Sequence, residues 1–256
     1  MLRWSINLFR IRGIRLSLHW MFPLLLAWAA YEGWQADGLS GALWSAATIL
    51  TFFTCVVLHE LGHSLTAMHF GVKVRQILLT PIGGIAQFDS IPRSPGQELL
   101  ITIAGPLVNF AIAGLLWCFV SFPPGWSSDT ATESMANFWR ILLRWNIGVG
   151  LFNLIPAFPM DGGRITRALL ATRIPYVRAT FWAATLGKVI TVCGFIYELL
   201  LGPRADFFVI AICFMIFSAG EAEYKTVKRR EAEEALWRES LMRHVGGPPA
   251  AEPPLL

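Results

Sequence analysis

Apolar residues run through this chain in long blocks, with the polar positions gathered between them. The blocks fall at Leu16 to about Gln35, Gly41 to Phe70, Leu99 to Phe119, Phe138 to Pro156, Val177 to Leu201 and Phe207 to Ala219, the last being the shortest. A helix rises about 1.5 Å per residue, so about 20 apolar residues cross a hydrocarbon core about 30 Å thick. The pattern predicts an all-α polytopic membrane protein with about six transmembrane helices. Between the second and third blocks the periodicity changes. Val72, Val74 and Ile77 to Leu79, followed by Pro81-Ile82-Gly83-Gly84-Ile85, read as two short extended segments about a Gly-Gly turn, a membrane-associated β-hairpin. The alternative is an ordinary surface loop. A hairpin with an open edge would accept an extended peptide by strand addition. Ser121 to Ala136, rich in Pro, Gly, Ser and Thr, reads as an outer loop.

Three parts follow from this pattern: an Arg-studded cytoplasmic segment over 1–15, a transmembrane core over 16–220 and a cytoplasmic tail over 221–256. From Glu221 to His244 acidic and basic residues alternate at helical spacing, which predicts a solvated helix. The Pro-rich stretch after it is expected to be disordered.

Composition agrees with the membrane reading, because 55% of residues are hydrophobic and only 15% charged, against about 25% charged in soluble domains. Mean hydropathy is +0.53. No cleavable signal peptide is expected, since the Arg-rich start leads into an apolar segment too long for one. The net charge of +4 needs no nucleic-acid partner. With six spans and both termini inside, seventeen of the 21 Lys and Arg residues lie on inner segments, the others being Arg140, Arg144, Lys188 and Arg204. That bias sets the orientation of a multi-pass protein of the cell membrane with cytoplasmic termini. The four cysteines lie inside apolar runs, which excludes a disulfide framework.

Chemistry is concentrated at His59-Glu60-Leu61-Gly62-His63, an H-E-x-x-H motif within the second apolar block. Residues four apart on a helix share a face, so His59 and His63 can present two imidazoles to one zinc ion. Glu60 then falls beside the metal, where a carboxylate can take a proton from a polarised water. His59 is eighteen residues from Gly41, about 27 Å along the helix, which puts the site in the cytoplasmic half of the bilayer. Ionisable groups at that depth are costly unless they bind metal, pair or line a wet cavity.

A catalytic zinc takes three protein ligands, and the third expected here is Asp161. The run Pro156-Ala157-Phe158-Pro159-Met160-Asp161-Gly162-Gly163 breaks the fourth helix and holds a carboxylate on irregular backbone at the same depth. Cys55, one turn before His59, is either a ligand or a small buried apolar residue, the latter favoured by its neighbours. Asn109 either bonds a neighbouring helix or acts near the metal. His19 with Trp20 reads as an interfacial anchor, with a place at the active site as the alternative. Lys188, within the fifth block, must snorkel, pair or face a wet cavity.

Taken together, H-E-L-G-H at His59 to His63, the Gly83-Gly84 hairpin, A-G-P-L-x-N ending at Asn109 and N-x-x-P-x-x-P-x-D-G-G from Asn153 to Gly163 resemble the site-2 protease family of intramembrane zinc metalloproteases. The resemblance spans about Leu16 to Phe217. It implies one zinc on His59, His63 and Asp161, with Glu60 as general base. It also implies that Asn153 and Asn109 help bind the substrate or stabilise the oxyanion, and that the substrates are transmembrane segments of single-span membrane proteins, cut near the cytoplasmic face. His19-Trp20 matches an H-W of some members. Ser121 to Ala136 is too short for a PDZ insertion, and the tail does not fit a CBS-type regulatory domain. The rival function is a membrane metal transporter or metal sensor using the intramembrane His pair; such a protein has no need of Glu60.

Overall fold

The structure is a computed structural model that describes residues 5–81, 83–89, 94–121, 130–201 and 207–245. The Pro-rich end after 245 and half of the expected outer loop, residues 122–129, lie outside the described residues. In chain order the elements are β1 (Ser5–Ile11), β2 (Ile14–His19), α1 (Phe22–His69), β3 (Val74–Thr80), β4 (Gly83–Phe88), α2 (Pro95–Ser121), α3 (Thr130–Asn153), α4 (Asp161–Ala171), α5 (Tyr176–Leu201) and α6 (Phe207–Val245). Three of these helices, α1, α2 and α5, are long and apolar enough to cross a membrane.

Helix α1 covers the first two apolar blocks as two arms. Asp37 and Gly38 leave helical geometry between them, with Gly38 at φ +55°. The chain reverses there. A Cβ on Gly33 would collide with the Gly41 carbonyl, and one on Gly41 with the Gly33 carbonyl, so only glycines let the arms cross this closely. Phe22 near the start then meets Phe53 edge-to-face, with ring centroids 4.7 Å apart.

The expected hairpin is present as β3–β4, but it is half of a four-stranded sheet of order β1-β2-β3-β4. The Arg-studded segment, expected as a plain flank, forms β1 and the turn into β2, and the first helix starts at Phe22 rather than Leu16. Arg12 and Gly13, at φ +48° and +89°, supply the two left-handed residues of a two-residue hairpin turn. Ile14, Leu16 and Leu18 alternate with Arg15, Ser17 and His19. This strand period lies against the apolar run of the helix that follows. β2 pairs in parallel with β3 through the long α1 crossover, and β3 pairs antiparallel with β4, which is left as an edge strand. His19 accepts the Met21 N–H at 3.3 Å, so it serves the turn into α1.

Two further differences concern the later elements. α3 begins at Thr130, inside the stretch expected as loop; the T-x-x-E spacing of Thr130 to Glu133 is the sequence signal for a helix start there. The sixth block and the charged tail are one uninterrupted helix, α6, without a break at residue 220.

Buried charge ties the later helices together. Arg167 of α4 and Glu98 of α2 are each 1% exposed. The Arg167 Nε donates to Glu98 Oε1 at 2.8 Å and its Nη1 to Glu223 Oε1 of α6 at 2.5 Å. The guanidinium also sits 5.2 Å from the Phe158 ring centroid and 5.0 Å from that of Tyr176. Lys188 of α5 pairs with Glu221 of α6, which answers how that lysine is accommodated. Breaking a buried pair by removing one partner is expensive because it strands the other charge. Arg167→Met should therefore lower stability by about 3–5 kcal/mol. Adding Glu98→Leu to Arg167→Met should restore part of the loss, both read as thermal midpoints of the purified protein in detergent.

Candidate functional site

The inner arm of α1 carries His59, Glu60 and His63, and Asp161 is the first residue of α4, not part of the irregular segment before it. Glycines decide how closely these elements approach. A Cβ on Gly62 would sit 2.8 Å from the Ala104 carbonyl oxygen, and one on Gly105 would collide with the His63 and His59 rings. The G of H-E-L-G-H and the G of A-G-P therefore let α1 and α2 close on each other around the imidazoles. A Cβ on Gly163 would lie 2.7 Å from the Phe158 nitrogen, and one on Gly162 would meet the Leu154 and Ile155 carbonyls. The Asp-Gly-Gly run lets the first turn of α4 lie directly on the 154–158 backbone, which delivers Asp161 to the histidines.

Three side-chain atoms converge. His59 Nε2 and His63 Nε2 are 3.1 Å apart, and Asp161 Oδ2 is 3.4 Å from the first and 3.2 Å from the second. All three residues are buried, and among the described residues they form the one group of His, Cys, Asp or Glu placed to hold a metal ion. Cys55 is buried nearby in sequence but does not join the group.

Proton positions follow from the bonds behind the rings. Asn146 Nδ2 donates to the Leu142 carbonyl at 2.9 Å, which leaves Asn146 Oδ1 to accept from Asn109 Nδ2 at 3.0 Å. Asn109 Oδ1 must then accept from His59 Nδ1, at 2.5 Å. His63 Nδ1 donates to the Ile101 carbonyl at 2.8 Å. Each neutral ring thus carries its proton on Nδ1 and turns a bare Nε2 lone pair inward. Two lone pairs and a carboxylate oxygen that has no hydrogen-bond partner face one another. A cation relieves that repulsion. A tetrahedral zinc with bonds of about 2.0–2.2 Å separates neighbouring ligand atoms by about 3.3–3.6 Å, close to the spacings found here, so these residues fit the expected ion.

Glu60 lines a cavity of about 640 Å³ together with the two histidines, Asp161, Asn153 and the residues of β4. A Cβ on Gly84 would lie 3.0 Å from Glu60 Oε1, so glycine at this position gives the carboxylate room beside the edge strand. Asn153 donates one amide N–H to the Val149 carbonyl at 3.1 Å and keeps the other. Asn109, by contrast, is 1% exposed, and its amide is committed to His59 and Asn146 behind the cluster. Sequence reasoning did not find Asn146. It is an uncharged polar residue within the apolar run of α3, seven residues before Asn153, and that was its available signal.

Fold and site together define a helical protein with a buried metal-ligand set opening onto an apolar cavity edged by a β-strand. Residues 47–125 and 123–194 match the model of peptidase family M50. A zinc metalloprotease of Methanocaldococcus jannaschii is 38% identical over 230 residues, covering 89% of this chain and 62% of the relative. Rip3 of Mycobacterium tuberculosis is 30% identical over 205 residues, covering 74% of this chain and 50% of the relative. The solved site-2 protease from Methanocaldococcus jannaschii superposes with a TM-score of 0.59 at 36% identity, over 86% of this chain and 95% of that one. The chain belongs to peptidase family M50. It spans between half and about three-fifths of the length of the two relatives.

Asn109→Ala should lower metal affinity about 10–100-fold, because it removes the acceptor that fixes the His59 tautomer. Asn153→Ala and Cys55→Ala should leave affinity unchanged, all three read by competition with a chromophoric chelator on the purified protein.

Proposed function

We propose that this chain is an intramembrane zinc endopeptidase that cuts transmembrane segments of single-span membrane proteins near the cytoplasmic face. One observation carries the reading. Three metal donors and a further carboxylate, Glu60, line the same apolar cavity, and the open strand β4 lines it too. His59, His63 and Asp161 would hold the ion. When bound, zinc polarises a substrate carbonyl and makes a coordinated water more acidic.

The chain's own groups supply the rest. The Glu60 carboxylate accepts a proton from the attacking water and passes it to the departing amide nitrogen, a transfer worth about 10²–10⁴-fold in rate. The unspent amide N–H of Asn153 donates to the oxygen that gains charge as the carbonyl is attacked. A helical peptide bond is shielded by its own hydrogen bonds, so the substrate has to unwind first. β4, with Gly83 and Gly84 nearest the site, holds the unwound segment extended through backbone pairing.

In this reading the membrane is crossed six times, by the two arms of α1, by α2, α3 and α5, and by α6 from Phe207 to about Ala219. Both termini lie in the cytoplasm. The distribution of Lys and Arg supports this orientation, as do the large apolar side chains exposed along the helices. It makes 16–220 the embedded core and the rest of α6 a cytoplasmic tail.

The test uses purified full-length protein, a panel of single-span substrates in detergent and product mapping by mass spectrometry. Wild type should cut within the spans. Glu60→Gln should keep about one zinc per chain yet lose at least about 10²-fold in cleavage, whereas Asp161→Ala should lose the metal itself. Undiminished cleavage by Glu60→Gln would refute the role given to that carboxylate. Zinc flux into vesicles with no peptidase activity would favour the transporter.

A further inference from the structure

A second cavity, of about 450 Å³, lies away from the metal ligands between the outer arm of α1, the inner arm and α3. Trp28, Glu32 and Ala36 form one wall, Trp44 and Thr48 the floor, and α3 the other wall. Trp44 meets Phe138 with ring centroids 5.7 Å apart, and Phe52 meets Trp145 at 4.9 Å, so α3 runs alongside the inner arm in the same direction. Among the described residues the outer arm makes no such ring contact with α3. What remains is a three-sided groove below the Asp37–Gly38 reversal.

Polarity is graded along that groove. Asp37 and Glu32 are at the mouth, both exposed, and among the described residues neither carboxylate makes an ion pair. Arg140 stands beside the mouth, its Nη1 donating at 3.3 Å to Asn137 Oδ1, and Asn137 itself lines the cavity. Ile49, eight residues along the inner arm from Gly41, which lies level with Asp37, and so about 12 Å lower, and Ile141 on α3 line the deeper, apolar part. Indole faces beside unpaired carboxylates favour an ammonium group, and an arginine alongside favours a phosphate. The depth below them takes hydrocarbon. A soluble cation would use only the mouth.

We infer that this groove is a binding site for one phospholipid with a zwitterionic, ammonium-bearing headgroup, its ammonium on Glu32 and Asp37, its phosphate toward Arg140 and an acyl chain between the outer arm of α1 and α3. The inference rests on the orientation proposed above, which puts the mouth at the outer leaflet. Such a lipid fills the gap between α3 and the middle of the outer arm, which is held at one end by Phe22 on Phe53 and at the other by the crossing of Gly33 and Gly41. It stabilises that arm without touching the metal ligands.

The test is native mass spectrometry of the zinc-loaded full chain, titrated in detergent with phosphatidylethanolamine or phosphatidylglycerol of identical acyl chains. Wild type should retain one phosphatidylethanolamine with about tenfold preference over phosphatidylglycerol. Glu32→Gln combined with Asp37→Asn should abolish the preference. Thr48→Trp, which fills the groove floor, should reduce retention of both lipids, with zinc content unchanged in each variant. Glu60→Gln should bind lipid as wild type does, so a failed peptidase assay and a failed lipid site are told apart. Equal retention of the two lipids by wild type, or a preference that survives the double substitution or the filled floor, would overturn the site.

Discussion

Two imidazole nitrogens and a carboxylate oxygen held within 3.4 Å of one another are the constraint on which the rest of this molecule turns. Two imidazole lone pairs and a carboxylate oxygen repel each other in a medium of low dielectric, and the effect is far stronger there than in water. A divalent cation turns the repulsion into binding. The cluster persists in the fold because the parts that deliver it are independently fixed: α1 and α2 by the glycine contacts at Gly62 and Gly105, α4 by Gly162 and Gly163 on the 154–158 backbone. Replacing any of these with a larger residue moves a ligand before it disturbs the remaining core.

The charged and amide groups described at depth are matched by partners on other helices. Several of them serve the metal or a helix that carries a metal ligand. Asn146 orders Asn109, which orders His59; Arg167 holds α4, whose first residue is Asp161, against Glu98 and Glu223. Lys188 is matched by Glu221 on the neighbouring helix. Unpaired, any of these would be costly in hydrocarbon, and their partners come from different helices, so they specify the arrangement of the bundle as well as tolerating it. The cavity beside Glu60 stays largely apolar, with β4 as its polar edge.

Much of this was legible in the chain because the signals are local. H-E-x-x-H puts two ligands on one helix face through helical geometry alone, and the Pro-Pro-Asp-Gly-Gly run marks a break that places a carboxylate at matching depth. The Gly83-Gly84 hairpin was likewise visible from its change of period. The other half of the sheet was not, because Ile14, Leu16 and Leu18 run straight into the apolar start of α1 and their strand period is masked by the helix that follows. Arg167 and Glu98 are 69 residues apart and Asn109 and Asn146 are 37 apart, so only the packed bundle reveals them as partners. Asp161 at the head of a helix rather than within the irregular segment is a finer miss, set by how closely Gly162 and Gly163 let α4 dock.

X-ray absorption at the zinc edge of the purified full-length protein tests the ligand set most directly. The fit should require only nitrogen and oxygen donors at about 2.0–2.2 Å, with the outer-shell scattering of two imidazoles. A sulfur donor at about 2.3 Å, which would bring Cys55 into the site, or an ion with no imidazole scattering would contradict the convergence of His59, His63 and Asp161 on a single metal.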